Sequence, residues 1–384
     1  MSLFACMPPK TTLGFFVGTI DDLTFMRSAL ALAGQGKGLT TPNPVVGAVV
    51  VKGGRIVAEG FHRKAGGKHA EIEALTKAGS NARGATLYVT LEPCCHTGLT
   101  GPCTEAIQRA GIRRVVYAQK DPDPRVNGRG ARVLRQAGIQ VTGSVLADQA
   151  ERLNEDHYHY HRTGRPFVVV KFAQSLDGRV ATATGDSKWI SGSEALRYAH
   201  QLRAESCAVA VGSGTMIADN PLLTVRHVRG AQPFRVVFSG SLKFDRTYNL
   251  LSSSRNAATI VVSSRSAITR AAKAKWAENV MFLEVRSDKN GRPDVGDFLR
   301  RMAGIGIKSV LVEGGPRLLT SFLSAGMVDK MIVVVAPMII GNGTNSIDDL
   351  KIRKLSRALH LEKVHVSPLG KDFAFSGYPV WRKK

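Results

Sequence analysis

The sequence predicts an α/β protein built from two successive domains, and three observations lead to this fold class. The chain has 384 residues, which exceeds one average domain, so two domains are expected. Short apolar, β-branched segments alternate with helical segments, as they do where helices cover a mostly parallel sheet. After a polar stretch the alternation restarts at residues 167–172, whose sequence FVVVKF is typical of a strand.

In the first half, the order of the elements predicts an α/β sandwich. Runs of β-branched residues indicate strands, whereas apolar residues three or four positions apart indicate helices. In chain order we expect a strand at 45–51, a helix at 69–78, a strand at 85–91, a helix from Cys103 to about Ala110, a strand at 112–118, and a helix at 129–137 that Gly138 ends.

The second half predicts another α/β domain, long enough to hold a site of its own. Its strands are expected at 167–172, 207–212, 235–238, 259–263, 280–285, 309–312 and 331–335. Helices are expected between them at 193–204, 265–277, 294–303 and 316–325.

A polar, helical connector is expected between the halves. In it His157, His159 and His161 alternate with tyrosines. Because a spacing of two does not align side chains on one helix face, we expect a solvated linker there and no metal site. The predicted organisation is a disordered extension at 1–20, a first domain at 21–147, the connector at 148–164 and a second domain at 165–384.

Composition narrows the function classes. The formal net charge is +23, from 53 Lys and Arg against 30 Asp and Glu. These cations are dispersed and form no long basic run, so we expect a solvated basic surface that suits a phosphorylated small molecule better than a nucleic acid. The first 20 residues hold one Lys and no Arg, which argues against a signal or transit peptide.

Cysteine usage and hydropathy point to a cytoplasmic protein. There are five cysteines, and three of them, Cys6, Cys95 and Cys207, are scattered, which is not the pattern of a disulfide framework. Hydrophobic residues make up 43% of the chain, enough for real cores. No run of about 18 apolar residues occurs, so no membrane span is expected.

The strongest functional signal is a divided zinc signature. His69-Ala70-Glu71 is followed by Pro93-Cys94 and Pro102-Cys103. One imidazole and two thiolates can hold Zn²⁺ and leave the fourth tetrahedral position open, whereas a structural zinc site usually has a fourth protein ligand. Glu71 is placed to move protons without being a ligand. This is the pattern of zinc deaminases that act on a nucleobase-like ring.

The predicted elements place the ligand pairs at helix N-termini, where the helix dipole favours thiolates.

In the second half, two glycine motifs follow strands. Gly212-Ser213-Gly214-Thr215 is a weak dinucleotide signal, because Ile217 stands where a third glycine belongs. Glu313-Gly314-Gly315-Pro316 is stronger, since bare backbone N–H groups at a helix N-terminus can bind a phosphate. A plain tight turn is the alternative.

Further motifs support a resemblance to a known family. In the first half they are Thr41-Pro42-Asn43-Pro44, Gly60-Phe61-His62, His69-Ala70-Glu71, Glu92-Pro93-Cys94 and Asp121-Pro122. In the second half they are Lys171, Ser175-Leu176-Asp177-Gly178-Arg179, Trp189-Ile190, Leu202-Arg203, Ala218-Asp219-Asn220-Pro221 and Glu313-Gly314-Gly315. Over nearly its whole length the chain resembles the bifunctional riboflavin-biosynthesis proteins. These join a diaminohydroxyphosphoribosylaminopyrimidine deaminase to a 5-amino-6-(5-phosphoribosylamino)uracil reductase.

The gap between Cys94 and Cys103 also resembles this family, and differs from the two-residue gap of cytidine and transfer-RNA adenosine deaminases. The resemblance implies a cytidine-deaminase-like α/β/α sandwich followed by a dihydrofolate-reductase-like α/β domain. It implies zinc-dependent hydrolytic deamination of 2,5-diamino-6-(5-phosphoribosylamino)pyrimidin-4(3H)-one, with Glu71 carrying the proton. NADPH would then reduce the ribosyl group of 5-amino-6-(5-phosphoribosylamino)uracil to a ribityl chain.

The resemblance also implies site residues. Asn43 and His62 would orient the pyrimidine. Cofactor contacts are implied for Ala173, Trp189, Thr215, Asp219, Gly315, Pro316, Arg317, Leu318, Leu319, Thr320 and Ser321. Substrate contacts are implied for Ser187, Arg203, Leu223, Arg226 and Glu313. The two arginines suit phosphate binding, since guanidinium groups pair well with phosphate.

Three departures from the family pattern stand out. Leu99 replaces a usual Lys or Arg, Gly101 a usual Pro, and Ser239-Gly240 a usual Asp-Ser. The first would affect one phosphate contact of the deaminase, and the last one cofactor contact. None of them removes a zinc ligand or Glu71.

Two alternatives stay open. One is a nucleic-acid base deaminase with an appended module, and the other is a chain in which one half has lost catalysis. The expected partner is a small phosphorylated pyrimidine, with no nucleic acid and no membrane. Homo-oligomerisation is compatible with the sequence, which does not fix the oligomeric state.

Overall fold

The computed structural model describes residues 19–97, 101–252 and 257–380, and the chain divides into two compact units. The first unit contains the chain up to Gly34 together with Val46–Phe61 and Lys68–Leu153. The second contains Gln35–Val45, His62–Gly67 and the chain from Asn154 onward. Most of the extension expected at 1–20 lies outside the described residues, and the predicted domain bounds remain a prediction.

The described part of the first unit contains five helices and five strands. They are α1 (Ile20–Gly34), β1 (Gly47–Lys52), β2 (Arg55–Phe61), α2 (Ala70–Ala78), β3 (Thr86–Leu91), α3 (Cys103–Arg109), β4 (Arg114–Gln119), α4 (Arg129–Gln136), β5 (Gln140–Thr142) and α5 (Ala147–Leu153).

The sheet of the first unit has the order β2-β1-β3-β4-β5. β3, β4 and β5 are parallel, but β1 runs antiparallel to both β2 and β3. Only β1 runs opposite to the other four strands, so the expectation of a mostly parallel sheet is confirmed except at this strand. The reason for the β1–β2 hairpin is the pair Gly53-Gly54, whose φ angles are 56° and 73°. Such a two-residue turn needs positive φ at both positions, and glycine allows this.

Alternation along the strands of the first unit builds two apolar layers. Val50 and Leu87 pack with α2, α3 and α4, whereas their neighbours Val49 and Tyr88 pack with α1 and α5. Successive strand residues point to opposite faces, so a sheet that is apolar at every position must be covered on both sides. The result is the predicted α/β/α sandwich.

The described part of the second unit continues with six helices and eleven strands. They are α6 (Glu155–Thr163), β6 (Phe167–Ser175), β7 (Arg179–Thr182), α7 (Ser193–Ala204), β8 (Ala208–Gly212), α8 (Ser213–Asp219), β9 (Phe234–Phe238), β10 (Thr259–Ser263), α9 (Arg265–Ala271), β11 (Val280–Glu284), α10 (Val295–Gly304), β12 (Ser309–Val312), α11 (Pro316–Ser324), β13 (Lys330–Ala336), β14 (Gly343–Asn345), β15 (His360–Leu369) and β16 (Asp372–Val380).

The main sheet of the second unit has nine strands in the order β11-β10-β9-β8-β12-β6-β13-β16-β15. The strands from β11 to β13 are parallel, and β16 and β15 complete the sheet as an antiparallel hairpin. In a parallel sheet the carboxyl ends of the strands share one edge, where ligands usually bind. Here the ends of β6, β8 and β12 therefore lie together.

The connector is not the solvated linker we expected. His157 is buried, at 4% exposure, and its Nδ1 lies 3.2 Å from Nζ of Lys308. The ring of His159 lies 5.4 Å from that of Phe167, and the Tyr160 hydroxyl donates to the Ala303 carbonyl at 3.0 Å. Helix α6 is therefore packed into the second unit, and its alternating aromatic rings supply the contacts.

Helix α9 is shorter than the predicted 265–277. It ends at Ala271, whose carbonyl accepts a hydrogen bond from the Trp276 indole N–H at 2.9 Å. This bond satisfies an acceptor that a continued helix would use, so the chain turns away. Among the described helices, none has the length and apolar character required to cross a bilayer.

Candidate active sites

Three side chains of the first unit meet in an arrangement that fits zinc. Nδ1 of His69 lies 3.1 Å from Sγ of Cys103 and 3.7 Å from Sγ of Cys94. The three donor atoms lie within 4.8 Å of one another. Zinc bonds of about 2.0 Å to nitrogen and 2.3 Å to sulfur put tetrahedral ligands at roughly such separations. Both the donor chemistry and the spacing therefore suit one Zn²⁺.

Local structure brings these ligands together. His69 is the N-cap of α2 and Cys103 is the first residue of α3, while Cys94 lies in the loop after β3. The Cys103 N–H donates to Sγ of Cys94 at 3.3 Å, and the Thr104 N–H donates to the Cys94 carbonyl at 3.2 Å. These bonds hold the loop against the start of α3 and favour a thiolate at Cys94.

Glu92 has a positioning role that the sequence motif did not reveal. It is buried, at 2% exposure, and its two carboxylate oxygens accept from Gly128 N–H at 2.8 Å and Ala131 N–H at 3.0 Å. The backbone also approaches closely, because a Cβ on Gly130 would lie 2.0 Å from the Pro93 carbonyl oxygen. Glu92 therefore ties the start of α4 to the loop that carries Cys94. The only sequence signal was its place in Glu92-Pro93-Cys94.

Glu71 lies in the first turn of α2, two residues after His69, and is 4% exposed. Burial raises the pKa of Glu71, and the neighbouring Cys94 raises it further. The hydrogen bond from Cys103 lowers the pKa of Cys94 to about 4, and the same bond raises the pKa of Cys103. A buried carboxyl group with a raised pKa beside a metal site can take up and return a proton.

A second charged cluster lies at the carboxyl edge of the sheet in the second unit. Arg203 on α7 forms a two-pronged ion pair with Glu313, with Nε to Oε1 at 2.7 Å and Nη2 to Oε2 at 2.6 Å. Both side chains are about nine-tenths buried. Lys171 on β6 is partly buried, and desolvation lowers the pKa of Lys171 while the charge of Glu313 opposes this. The cluster combines two cations with one carboxylate, so it suits a polar, anionic ligand.

Two glycine-containing loops meet at the same edge of this sheet. The Gly315 N–H donates to Oγ1 of Thr215 at 2.8 Å. A Cβ on Gly315 would lie 2.9 Å from that oxygen, and one on Gly314 would lie 2.8 Å from Cδ2 of Leu318. These close approaches favour glycine at both positions, which lie at the N-terminus of α11, the end of a helix that attracts a phosphate.

The structure brings some of the other predicted residues together. The Ser187 hydroxyl lies 3.4 Å from Oδ1 of Asp219, and Nη1 of Arg226 donates to Oγ1 of Thr224 at 2.8 Å. Leu223 is buried at 2% exposure, with a φ of 51°. Ala173 lies on β6, paired with Val334 of β13.

The remaining cofactor residues differ in exposure. Trp189 is 74% exposed, whereas Leu318 and Leu319 belong to the apolar core of the second unit. Pro316 is the first residue of α11. Oγ1 of Thr320 accepts from the Asp348 N–H at 2.9 Å, and the Ser321 hydroxyl donates to the Arg317 carbonyl, one turn earlier in the same helix, at 2.8 Å. A cofactor at α11 would therefore meet backbone and side chains of its first turn.

Asn43 and His62 belong to the second unit. Nδ2 of Asn43 lies 3.3 Å from Nε2 of His62. Their common role in holding a pyrimidine remains a prediction.

Among the departures from the family pattern, Leu99 lies outside the described residues. A Cβ on Gly101 would meet no atom of the described residues within 4 Å, and nothing in the structure explains the exchange of proline for glycine there. Gly240 has a clear reason, because a Cβ would lie 2.5 Å from the Gly291 carbonyl oxygen. Ser239 accepts from the Leu242 N–H at 3.0 Å, so both residues serve this turn.

Two family models match the chain. Residues 19–119 match the cytidine and deoxycytidylate deaminase zinc-binding region. Residues 166–375 match the RibD C-terminal domain. These matches confirm the expected order of a cytidine-deaminase-like domain followed by a reductase domain.

Curated relatives and solved structures agree with the family models. The chain is 46% identical to the riboflavin biosynthesis protein RibD of Aquifex aeolicus, over 91% of this chain and 96% of that protein. It is 38% identical to RibD of Escherichia coli, over 92% and 98%. The structure of Acinetobacter baumannii RibD matches with a TM-score of 0.83 at 37% identity, over 94% of this chain and 99% of that one. A Thermotoga maritima diaminohydroxyphosphoribosylaminopyrimidine deaminase/5-amino-6-(5-phosphoribosylamino)uracil reductase matches with a TM-score of 0.79 at 37% identity, over the same shares.

Proposed function

The chain belongs to the RibD family. On this premise we propose that its two sites catalyse two consecutive reactions, one at each site. It is a bifunctional enzyme of riboflavin biosynthesis, with deaminase and reductase activities. The observation that carries the deaminase assignment is the grouping of His69, Cys94 and Cys103 around one position, with the buried Glu71 beside it.

In the first reaction the substrate is 2,5-diamino-6-(5-phosphoribosylamino)pyrimidin-4(3H)-one. His69, Cys94 and Cys103 would hold a zinc ion, which would supply Lewis-acid activation of water. Glu71 would carry the two protons of that water, one to the ring nitrogen and one to the amino nitrogen, which leaves as ammonia. The ring carbon that carried the 2-amino group becomes a carbonyl carbon. Asn43 and His62 are assigned to holding the pyrimidine.

In the second reaction the ribosyl group of 5-amino-6-(5-phosphoribosylamino)uracil is reduced to ribityl. We assign NADPH as the cofactor, which supplies a hydride to C1′ of the sugar. The Gly314-Gly315 loop supports this assignment, since it lies at the N-terminus of α11, where the helix dipole favours a phosphate. Thr215, Asp219, Trp189 and Ala173 are assigned to the cofactor, together with the first turns of α11 from Gly315 to Ser321.

The ion pairs of the second site indicate which of its substrate residues binds the phosphate. Arg203 is already paired with Glu313, whereas Arg226 pairs with no carboxylate among the described residues. Arg226 is therefore the better candidate for the substrate's phosphate. Glu313 and Lys171 offer an acceptor and a donor to the sugar hydroxyls. Ser187 and Leu223 complete the assigned substrate set.

We assign the enzyme to the cytoplasm and to a free small-molecule substrate, without nucleic acid. Within the described part of the chain, Cys94, Cys95, Cys103 and Cys207 are free thiols, which suits a reducing compartment. The dispersed cations suit a phosphorylated substrate.

The proposal is tested by following the diaminopyrimidinone phosphate by mass spectrometry, with and without NADPH. Without NADPH we expect the amino-to-oxo exchange and no further change. With NADPH we expect the same exchange followed by the gain of two hydrogens. Loss of ammonia without any later reduction would support the deaminase assignment and contradict the reductase assignment. A substrate that stays unchanged in a zinc-loaded sample would overturn the deaminase assignment.

A further inference from the structure

The loop that carries Arg226 is held in an unusual way. It lies in residues 220–233, between α8 and β9, and its backbone at Thr224–Arg226 is bonded by side chains. The Thr224 carbonyl accepts from Nη1 of Arg203 at 3.4 Å, and the Arg226 N–H donates to Nδ1 of His200 at 3.0 Å. The loop is thus fastened to α7 at two points, by residues one helical turn apart.

Gln232 holds the residue between those two points. The Val225 N–H donates to Oε1 of Gln232, and Nε2 of Gln232 donates to the Val225 carbonyl, both at 2.9 Å. Four successive backbone polar groups, from the Thr224 carbonyl to the Arg226 N–H, are therefore satisfied by Arg203, Gln232 and His200. A short segment bonded at every polar group has little freedom to move, so the position of the Arg226 side chain depends on these partners.

His200 is well placed to bind the loop, because its side chain is shielded from solvent. It is fully buried, at 0% exposure. Burial lowers the pKa of His200 to about 4, with the charges of Arg203 and Arg226 as further causes. The ring is therefore neutral at neutral pH, and its unprotonated Nδ1 can accept from Arg226 while the proton stays on Nε2. Nε2 has no hydrogen-bond partner among the described residues, so the bond to the loop is the ring's polar function.

We propose that His200 and Gln232 are positioning residues that fix Arg226 for the phosphate of the reductase substrate. This inference rests on the proposed function, which assigns that phosphate to Arg226. Leu223, which precedes the segment, is buried with a positive φ of 51°. Such a backbone persists only where its surroundings enforce it, and the bonded segment follows it directly.

The test compares His200→Phe and Gln232→Leu with the unchanged enzyme in the reductase reaction. Each variant keeps side-chain size and loses the bonds to the loop, and Gln201→Leu on α7 is the matched control, since Gln201 bonds Glu205 and not the loop. We expect the KM for the phosphorylated substrate to rise about two- to tenfold per lost hydrogen bond, with kcat nearly unchanged. His200→Gln, which retains an acceptor, should recover part of the loss.

Two further arms separate this inference from the proposed function. With the same substrate lacking its 5′-phosphate, the variants and the unchanged enzyme should have equal KM values. In an Arg226→Ala background the second substitutions should add nothing. If Arg226→Ala raises KM but His200→Phe and Gln232→Leu do not, the positioning role is overturned and the phosphate assignment stands. If Arg226→Ala leaves KM unchanged, the phosphate assignment falls and the positioning role with it.

Should His200→Phe fail to fold in a thermal melt, Gln232→Leu decides the test alone. Equal effects of that variant on the phosphorylated and the dephosphorylated substrate would indicate general damage to the loop and overturn the inference.

Discussion

Proton transfer and metal binding are separate tasks at the first site, and single residues can be changed to distinguish them. We expect Glu71→Gln to keep its zinc and to lose deamination by at least about a hundredfold, because an amide cannot accept the water's proton. Zinc content by mass spectrometry and ammonia release measure the two properties. Glu73→Gln, on the same helix, is the control and should deaminate normally. A Glu71→Gln variant that deaminates at the normal rate would assign the proton to another group.

The ligands themselves make the complementary prediction. Cys103→Ser removes one of three donors, so we expect loss of bound zinc and of deamination. Reduction of supplied 5-amino-6-(5-phosphoribosylamino)uracil should persist, because that site is built from other residues. Cys95→Ser is the control, since Cys95 is adjacent to a ligand but its Sγ lies 3.7 Å from the Arg125 carbonyl oxygen. Full deamination by a verified zinc-free Cys103→Ser sample would refute the metal assignment.

At the scale of elements, helix α11 depends on the bare backbone at its start. A Cβ in Gly315→Ala would lie 2.9 Å from Oγ1 of Thr215 and would loosen the bond that joins the two loops. We expect the KM for NADPH to rise roughly two- to tenfold, the worth of one hydrogen bond. Gly304→Ala is the matched control, because a Cβ there meets no described atom within 4 Å. Equal KM values for the two variants would show that the cofactor lies elsewhere.

A buried carboxylate on helix α1 binds side chains of the neighbouring sheet. Asp22 is 0% exposed and accepts from the Tyr88 hydroxyl at 2.8 Å and from two Arg114 nitrogens at 2.9 Å. Burial would raise the pKa of Asp22, but the hydrogen bonds from Arg114 and the Thr19 backbone outweigh it and lower the pKa below the ordinary 3.8.

These interactions of Asp22 make the free energy of unfolding depend on pH. A lowered folded-state pKa contributes stability above the ordinary value, and that contribution is lost as pH falls through the folded value. We expect Asp22→Asn to lower the free energy of unfolding by about 1–3 kcal/mol at pH 7, and by progressively less below pH 3.8. Urea unfolding at several pH values measures this, with the adjacent Asp21→Asn as control. A difference that stays constant down to the most acidic pH would contradict the ion-pair explanation.

The same elements explain how far a sequence can predict this fold. Strands such as β1, β8 and β10 are buried along nearly their whole length and are rich in valine, so pattern alone located them. β15 and β16 were missed, because β15 is mostly exposed and its apolar alternation is short, limited to Val364 and Val366. The antiparallel β1–β2 pair was missed although Gly53-Gly54 signalled it. Helix α1 was also missed, since its apolar residues surround the helix and its packing partners lie far along the chain.

At the scale of the whole molecule, the two sites differ in how predictable they were. The three residues that could hold zinc are chemically distinctive, so residue type and spacing predicted a group that the structure brings together. The second site depends on residues distant in sequence, such as Lys171, Arg203 and Glu313, and a family resemblance was needed to group them. Partners that act through the backbone, such as Glu92, His200 and Gln232, carry no signal that composition or spacing can reveal. Their roles became visible only from hydrogen-bond geometry.

Because the two sites use separate residues, the reactions should be separable between molecules. Glu71→Gln should leave the diaminopyrimidinone phosphate unchanged. Glu313→Gln should deaminate it and stop, because the loss of this carboxylate leaves Arg203 and the partly buried Lys171 without their partner. A mixture of the two variants with NADPH should complete both steps if the deaminated intermediate diffuses from one variant to the other. Product formation by mass spectrometry, at several enzyme concentrations, measures this. If the mixture stops at the intermediate although Glu71→Gln reduces that compound when it is supplied, the intermediate must pass between sites without entering solution.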